Sequence, residues 1–134
     1  MYLWLVFLIC CIDIYCKNIY ITKDVNIYTS QLMELSIHKI TNYGFSFSLL
    51  KNLSEFAKVF IHAGMVIFTM IFYMENQFQQ AIIIAGLCNF IDRIMHGYII
   101  DYIILKICDK QIFPIFNLSD VIIIINIFFL ILLN

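Results

Sequence analysis

Charge is scarce in this chain: 13% of its residues are Asp, Glu, Lys or Arg, about half the share found in an average soluble domain. Loop-forming residues are scarce too, with one proline and four glycines in 134 residues. With 63% hydrophobic residues and a mean hydropathy of +0.96, folding in water would leave a large apolar surface exposed, which excludes a soluble domain. A net charge of -1 with no basic stripe excludes nucleic acid as a partner. The five cysteines include no CxxC pair and no Cys/His spacing suited to zinc, so they read as small apolar fillers. Leu8-Ile9-Cys10-Cys11 lacks the small residue and the preceding positive charge that a lipid-attachment site or a cleaved leader needs. A helical His pair beside an acid, the mark of a membrane metalloprotease, is also missing.

What remains is apolar sequence in runs of the length that crosses a bilayer, about 20 residues. Four such spans are expected, from about Met1 to Ile21, Phe56 to Met74, Phe78 to Met95 and Leu118 to Asn134. The chain therefore reads as a single integral membrane domain, residues 1–134, in the all-α membrane class, with both termini on one side. Pro114 followed by Asn117, Ser119 and Asp120 marks the start of the last span with helix-capping residues. Between the first two spans, Met33, Leu35 and Ile37 alternate with Glu34, Ser36 and His38, and Phe45, Phe47 and Leu49 with Ser46 and Ser48. That is the period of half-buried strands, and it predicts a small sheet lying on the membrane surface, with Gly44 at a turn or a close approach to ligand.

An ionisable group at membrane depth costs at least about 2.5 kcal/mol, so the few present carry information. Asp13 and Lys17 stand at i, i+4 and share a helix face; taken alone, charge neutralisation near a helix end is the favoured reading over function. Asn89, Asp92 and Arg93, at i, i+3 and i+4, form a second polar stripe, consistent either with a hydrogen-bonded clamp or with a working site. Asp101 lies in the run Ile99-Ile100-Asp101-Tyr102-Ile103, and Asp120 follows Asn117 by three residues at a helix start, where the amide can orient the carboxylate. If the intervening loop folds back, the two aspartates face each other at the mouth of the bundle. Two carboxylates brought close and partly desolvated share one proton, which suits them to activate water. The alternative is that each caps a helix or pairs with Arg93, Lys106 or Lys110.

The ordered set Asn89-Phe90-Ile91-Asp92-Arg93, Gly97, Asp101 and Phe116-Asn117-Leu118-Ser119-Asp120 closely resembles the signature of the lipoprotein signal peptidases, or signal peptidase II. In that family the pattern is Asn-x-x-Asp-Arg, a Gly, a Val-Val-Asp-like run and Phe-Asn-x-Ala-Asp. Upstream, Asp13-x-x-x-Lys17 resembles its first-helix Asp-Gln-x-x-Lys, and Asn42-Tyr43-Gly44-Phe45-Ser46-Phe47-Ser48 its Asn-x-Gly-x-Ala-Phe-Ser. The resemblance implies a four-helix aspartic endopeptidase with a small extracytoplasmic β-sheet between helices 1 and 2. It implies Asp101 and Asp120 as the catalytic pair, with Asp13, Lys17, Asn42, Gly44, Asn89, Asp92, Arg93 and Asn117 as the supporting and substrate-binding shell. Substrates would be diacylglyceryl-modified prolipoproteins, cut before the lipidated cysteine, with membrane lipid as the surroundings. The protein would act as a monomer without metal or organic cofactor. Its place would be the bacterial cytoplasmic (inner) membrane, multi-pass, with the active site toward the outer leaflet.

Four positions depart from the pattern: Ile14 stands for Gln, Ser46 and Ser119 for Ala, and Cys88 for Gly. The Lys and Arg residues, absent from both termini and from the second connection, would by the positive-inside rule put the polar face in the cytoplasm. Five ordered motifs outweigh that bias. The competing class is a small ion- or proton-coupled transporter lined by Asp13, Asp92 and Arg93; the chain shows no internal repeat or broken-helix pair to favour it.

Overall fold

A computed structural model of the chain describes residues 1–19, 25–30, 32–44, 52–72, 75–111 and 113–133. The described elements run α1 (Tyr2–Asn18), β1 (Val25–Thr29), β2 (Met33–Asn42), α2 (Glu55–Phe72), α3 (Gln77–His96), β3 (Ile99–Ile107), β4 (Lys110–Gln111) and α4 (Leu118–Leu133). The molecule is thus helix-rich with a small antiparallel sheet. The alternation expected at Phe45 to Leu49, and the expected span ends at Ile21, Met74 and Asn134, lie outside the described residues.

α3 is the central helix and packs against α1, α2 and α4. Its boundaries are set locally. Asn76 accepts the N–H groups of Phe78 and Gln79 at 3.1 and 3.0 Å, while Gln79 Oε1 accepts the Asn76 N–H at 3.1 Å, a reciprocal capping box. The helix stops at Gly97, whose φ of +81° is a left-handed conformation that favours glycine, and the Gly97 N–H closes on the Arg93 carbonyl at 3.0 Å. That reversal sends the chain directly into β3. α1 ends at Asn18, where Ile19 is extended and the Lys39 ammonium donates to the Lys17 carbonyl, satisfying a helix-end acceptor.

Small side chains let the helices approach closely: Ala81, Ala85, Cys88, Cys10 and Val6 pack with Ile122 between α1, α3 and α4. The distribution around this core inverts that of a soluble protein. The largest fully buried side chains among the described residues are Arg93, Lys17, Lys58, Asn117, Asn126, Asp13 and Ser119, whereas Phe56 and Trp4 are 81% and 77% exposed. Only α2 is, among the described helices, long and apolar enough by itself to meet the test for a membrane span; α4, with 16 residues, is apolar but shorter.

The sheet corrects the sequence-based picture. Its order is β1-β2-β3-β4, so half of it comes from the connection between α3 and α4 and not from that between α1 and α2. β3 carries no alternating pattern because Ile99, Ile100, Asp101 and Tyr102 are all buried, where it plugs into the end of the bundle, and a strand covered on both faces needs no polar side. The β3–β4 turn is made by Cys108 and Asp109, both with positive φ (49° and 60°), a hairpin reversal without its usual glycine.

Register matters more than strand count. Met33, Leu35 and Ile37 pair with Ile107, Leu105 and Ile103, all on the face that carries Asp101. Between Ile37 and Ile40 the register slips, and Ile40 then pairs with Asp101 and Asn42 with Ile99. This bulge adds one residue to β2. Without it Thr41 would share the face of Asp101; with it Asn42 does.

Candidate active site

All ten residues singled out from the sequence converge at one end of the bundle, where the last turns of α1 and α3, the first turn of α4, the inner end of β3 and the β2 exit meet. Asp120 sits in the first turn of α4, fixed by a second reciprocal cap: the Asn117 N–H donates to Asp120 Oδ2 at 3.2 Å and the Asp120 N–H to Asn117 Oδ1 at 3.0 Å. The amide nitrogen of Asn117 remains free to reach across, and it donates to Asp101 Oδ1 at 2.8 Å. A backbone bridge holds the two elements together, with the Ile103 N–H on the Phe116 carbonyl at 2.8 Å and the return bond at 3.2 Å. The loop between Asp101 and Asp120 therefore does fold back.

Each carboxylate is held on both oxygens by uncharged donors. Asp101 Oδ2 accepts from Asn42 Nδ2 at 2.9 Å, and Asp120 Oδ1 accepts from Asn89 Nδ2 at 2.9 Å. The orientation of the Asn42 amide follows from its neighbour, because Asn42 Oδ1 accepts the Gly44 N–H at 3.0 Å, leaving the nitrogen for Asp101. Arg93 donates to the Gly44 carbonyl at 2.5 Å, so α3 holds the turn that presents Asn42. Burial and then the nearby charge of Asp120 push the Asp101 carboxyl up to about 7, against the opposing donors from Asn42 and Asn117.

Lys17 lies beneath this pair. Its ammonium reaches Asp13 Oδ2 and Asp92 Oδ2, both at 2.8 Å, and Asn89 Oδ1 at 2.9 Å. The acceptor side of Asn89 is thereby taken by a cation, which turns its donor side toward Asp120 and selects the amide orientation. The Asp13–Lys17 pair is therefore part of a three-helix network rather than neutralisation at a helix end. Lys106, a suggested partner of Asp101, pairs instead with Glu34 at 3.2 Å across β2 and β3.

Two further residues join the site through Asp13, a contact that their positions in the sequence do not indicate. Tyr102 Oη donates to Asp13 Oδ1 at 2.8 Å, and Ser119 Oγ donates to Asp13 Oδ2 at 2.6 Å. The signal for Tyr102 was its hydroxyl within a run of isoleucines, since a buried phenol must find a partner. Ser119 stands out in the sequence as a capping candidate and as a departure from the Ala of the family pattern; its bond to Asp13 is neither of these.

The arrangement, two carboxylates tied by shared amides at a desolvated boundary with the titration of one moved up to about 7, can both take a proton from water and give one to a leaving group. Comparisons with known proteins agree on a family. The family model described as Signal peptidase (SPase) II matches residues 5–134. A lipoprotein signal peptidase of Bartonella henselae is 33% identical over 100 residues, covering 69% of this chain and 61% of the relative. One of Brucella ovis is 30% identical over 94 residues, covering 64% and 58%. The chain thus spans less than two thirds of the length of these relatives. Two solved structures, each described as a bacterial membrane enzyme studied by the in meso method, at 2.3 and 1.9 Å resolution, share the fold. Their TM-scores are 0.75 and 0.71 at 23% identity, with 98% of this chain covered and 85% and 90% of theirs. With the family model matching nearly the whole chain, this protein belongs to the signal peptidase II family.

Proposed function

We propose that this protein is a membrane aspartic endopeptidase that removes the signal peptide from diacylglyceryl-modified prolipoproteins, cutting the bond before the lipidated cysteine. The observation that carries the reading is the pair Asp101 and Asp120, joined through Asn117 and each held by neutral amide or backbone donors. The pair holds one shared proton; we assign it to Asp101, whose carboxyl burial and the charge of Asp120 push up to about 7, and the role of base to Asp120. Asp120 takes a proton from water as the water oxygen bonds to the scissile carbonyl carbon, and Asp101 protonates the carbonyl oxygen. The resulting gem-diol collapses: one hydroxyl returns its proton to Asp101, the C–N bond breaks, and the departing nitrogen takes the proton held by Asp120. The products are the carboxyl end of the signal peptide and the free amine of the lipidated cysteine. The transporter reading is set aside by the family.

The burial pattern supports four membrane helices within one domain. Buried Arg93, Lys17 and Asp13 and outward Phe, Ile and Trp side chains suit a bundle whose solvent is lipid and whose polar groups are satisfied inside. The sheet face shared by Met33, Leu35, Ile37, Ile103, Leu105 and Ile107 is apolar and leads to Asp101, as expected of a sheet resting on the outer leaflet of the inner membrane. An impermeant thiol reagent applied from outside is expected to label Cys108, exposed at the β3–β4 turn, but not the cysteine of an Asn134→Cys variant whose native cysteines are replaced. The opposite labelling would place the site in the cytoplasm.

The substrate's lipid supplies the test of specificity. Acyl chains contribute about 0.8 kcal/mol per buried CH₂, enough to hold the scissile bond at the depth of the carboxylates and remove much of its translational freedom before reaction. A prolipoprotein with an unmodified cysteine is therefore expected to be cut at least about 100-fold more slowly than its diacylglyceryl form, measured with purified protein and matched substrates. Equal rates would reduce the reading to a general intramembrane protease.

A further inference from the structure

The Asp13 carboxylate touches neither Asp101 nor Asp120, yet it is the point from which both are held. Its Oδ1 accepts Tyr102 Oη at 2.8 Å and the Leu118 N–H at 3.0 Å; its Oδ2 accepts Ser119 Oγ at 2.6 Å and Lys17 Nζ at 2.8 Å. Tyr102 is the residue after Asp101 on β3, and Leu118 and Ser119 are the two residues before Asp120 on α4. One fully buried anion on α1 thus ties the backbone beside each carboxylate to the same place. Two of those ties are side-chain hydroxyls, and one of them, Ser119, stands where the family pattern has a methyl group.

We propose that Tyr102 and Ser119 are positioning residues that act through Asp13 to set the separation of the Asp101 and Asp120 carboxylates, and so how tightly the pair holds its shared proton. The proposal rests on the proteolytic reading of the same site. The charges facing Asp101 are Asp120 from α4, Lys17 from α1 and Arg93 from α3. Of these only Asp120 repels it, and Asp120 in turn faces Lys17 and the repelling charge of Asp13, both on α1, so loosening the Asp13 ties lets the carboxylates move apart. The shared proton is then lost at lower pH.

The test compares wild type, Tyr102→Phe, Ser119→Ala, Ser119→Thr and the double variant Tyr102→Phe/Ser119→Ala on a diacylglyceryl-modified prolipoprotein, with kcat and KM measured across pH. Tyr102→Phe, which keeps the ring and loses the hydroxyl, is expected to lower kcat about tenfold with KM little changed, since sub-ångström misplacement acts on the chemical step. Its alkaline limb should move down by about half a pH unit. Ser119→Ala should lose about threefold, Ser119→Thr should restore activity, and the double variant should fall beyond the product of the singles because both hydroxyls hold one carboxylate. A variant that merely unfolds in part lowers the whole pH profile without moving its limbs. Unmoved limbs, or strictly multiplicative losses, would overturn the positioning role while leaving the protease reading intact. An inactive wild type on the lipidated substrate would overturn that reading and this role with it.

Discussion

Asp101→Asn and Asp120→Asn are each expected to lower prolipoprotein cleavage by about 10³-fold or more, within or beyond the range that a positioned acid or base supplies. The two effects should not multiply in the double variant, because one shared proton is the working unit. Both variants should still accumulate. Each substitution is close to isosteric, and each native carboxylate is held by neutral donors, so a mismatched amide loses a hydrogen bond or two, about 1–3 kcal/mol, without stranding a counter-charge. The pH dependence follows from the proton on Asp101: activity should be high while the pair retains it and should decline as pH rises through about 7. Near-normal turnover in either variant, at wild-type abundance in the membrane, would remove these residues from the mechanism.

Lys17→Met should act on the fold itself. The ammonium lies between Asp13 and Asp92, with both ion pairs at 2.8 Å and Lys17 only 1% exposed. Removing one partner of a buried pair strands the other, at a cost of about 3–5 kcal/mol, and here two carboxylates are stranded at once. The expected outcome is a large fall in the thermal unfolding temperature in detergent. Adding Asp92→Asn should restore part of it by removing one of the stranded charges. Lys106→Met provides the contrast, because its pair with Glu34 is partly exposed at 3.2 Å and should contribute less than about 1 kcal/mol. Equal losses in the two variants would mean that the Lys17 network contributes no more than a surface pair.

The site was legible in the sequence wherever a single helix holds its parts. Asp13 with Lys17 and Asn89 with Asp92 and Arg93 are spaced at i, i+3 or i+4, where helical geometry alone puts each set on one face, and Asn117 stands three before Asp120, the spacing of a helix cap. The capping residues at the start of α4 were likewise a local signal, and Asn117 and Asp120 do cap that helix. A membrane setting followed from composition, because no arrangement of a chain that is 63% hydrophobic hides all its apolar surface from water.

What lies between elements was not legible. That β3 is a strand, that the bulge in β2 turns Asn42 rather than Thr41 toward Asp101, and that Tyr102 and Ser119 meet on Asp13 all depend on which segments pair and in what register. A helix encodes its neighbours in its own spacing, since its hydrogen bonds close within four residues. A strand's bonds close on a partner far along the chain, and one residue of slip reverses every side chain. The sequence by itself determined which polar residues stand together on each helix; the tertiary structure decided which of them face one another, because that choice is made by long-range pairing and packing.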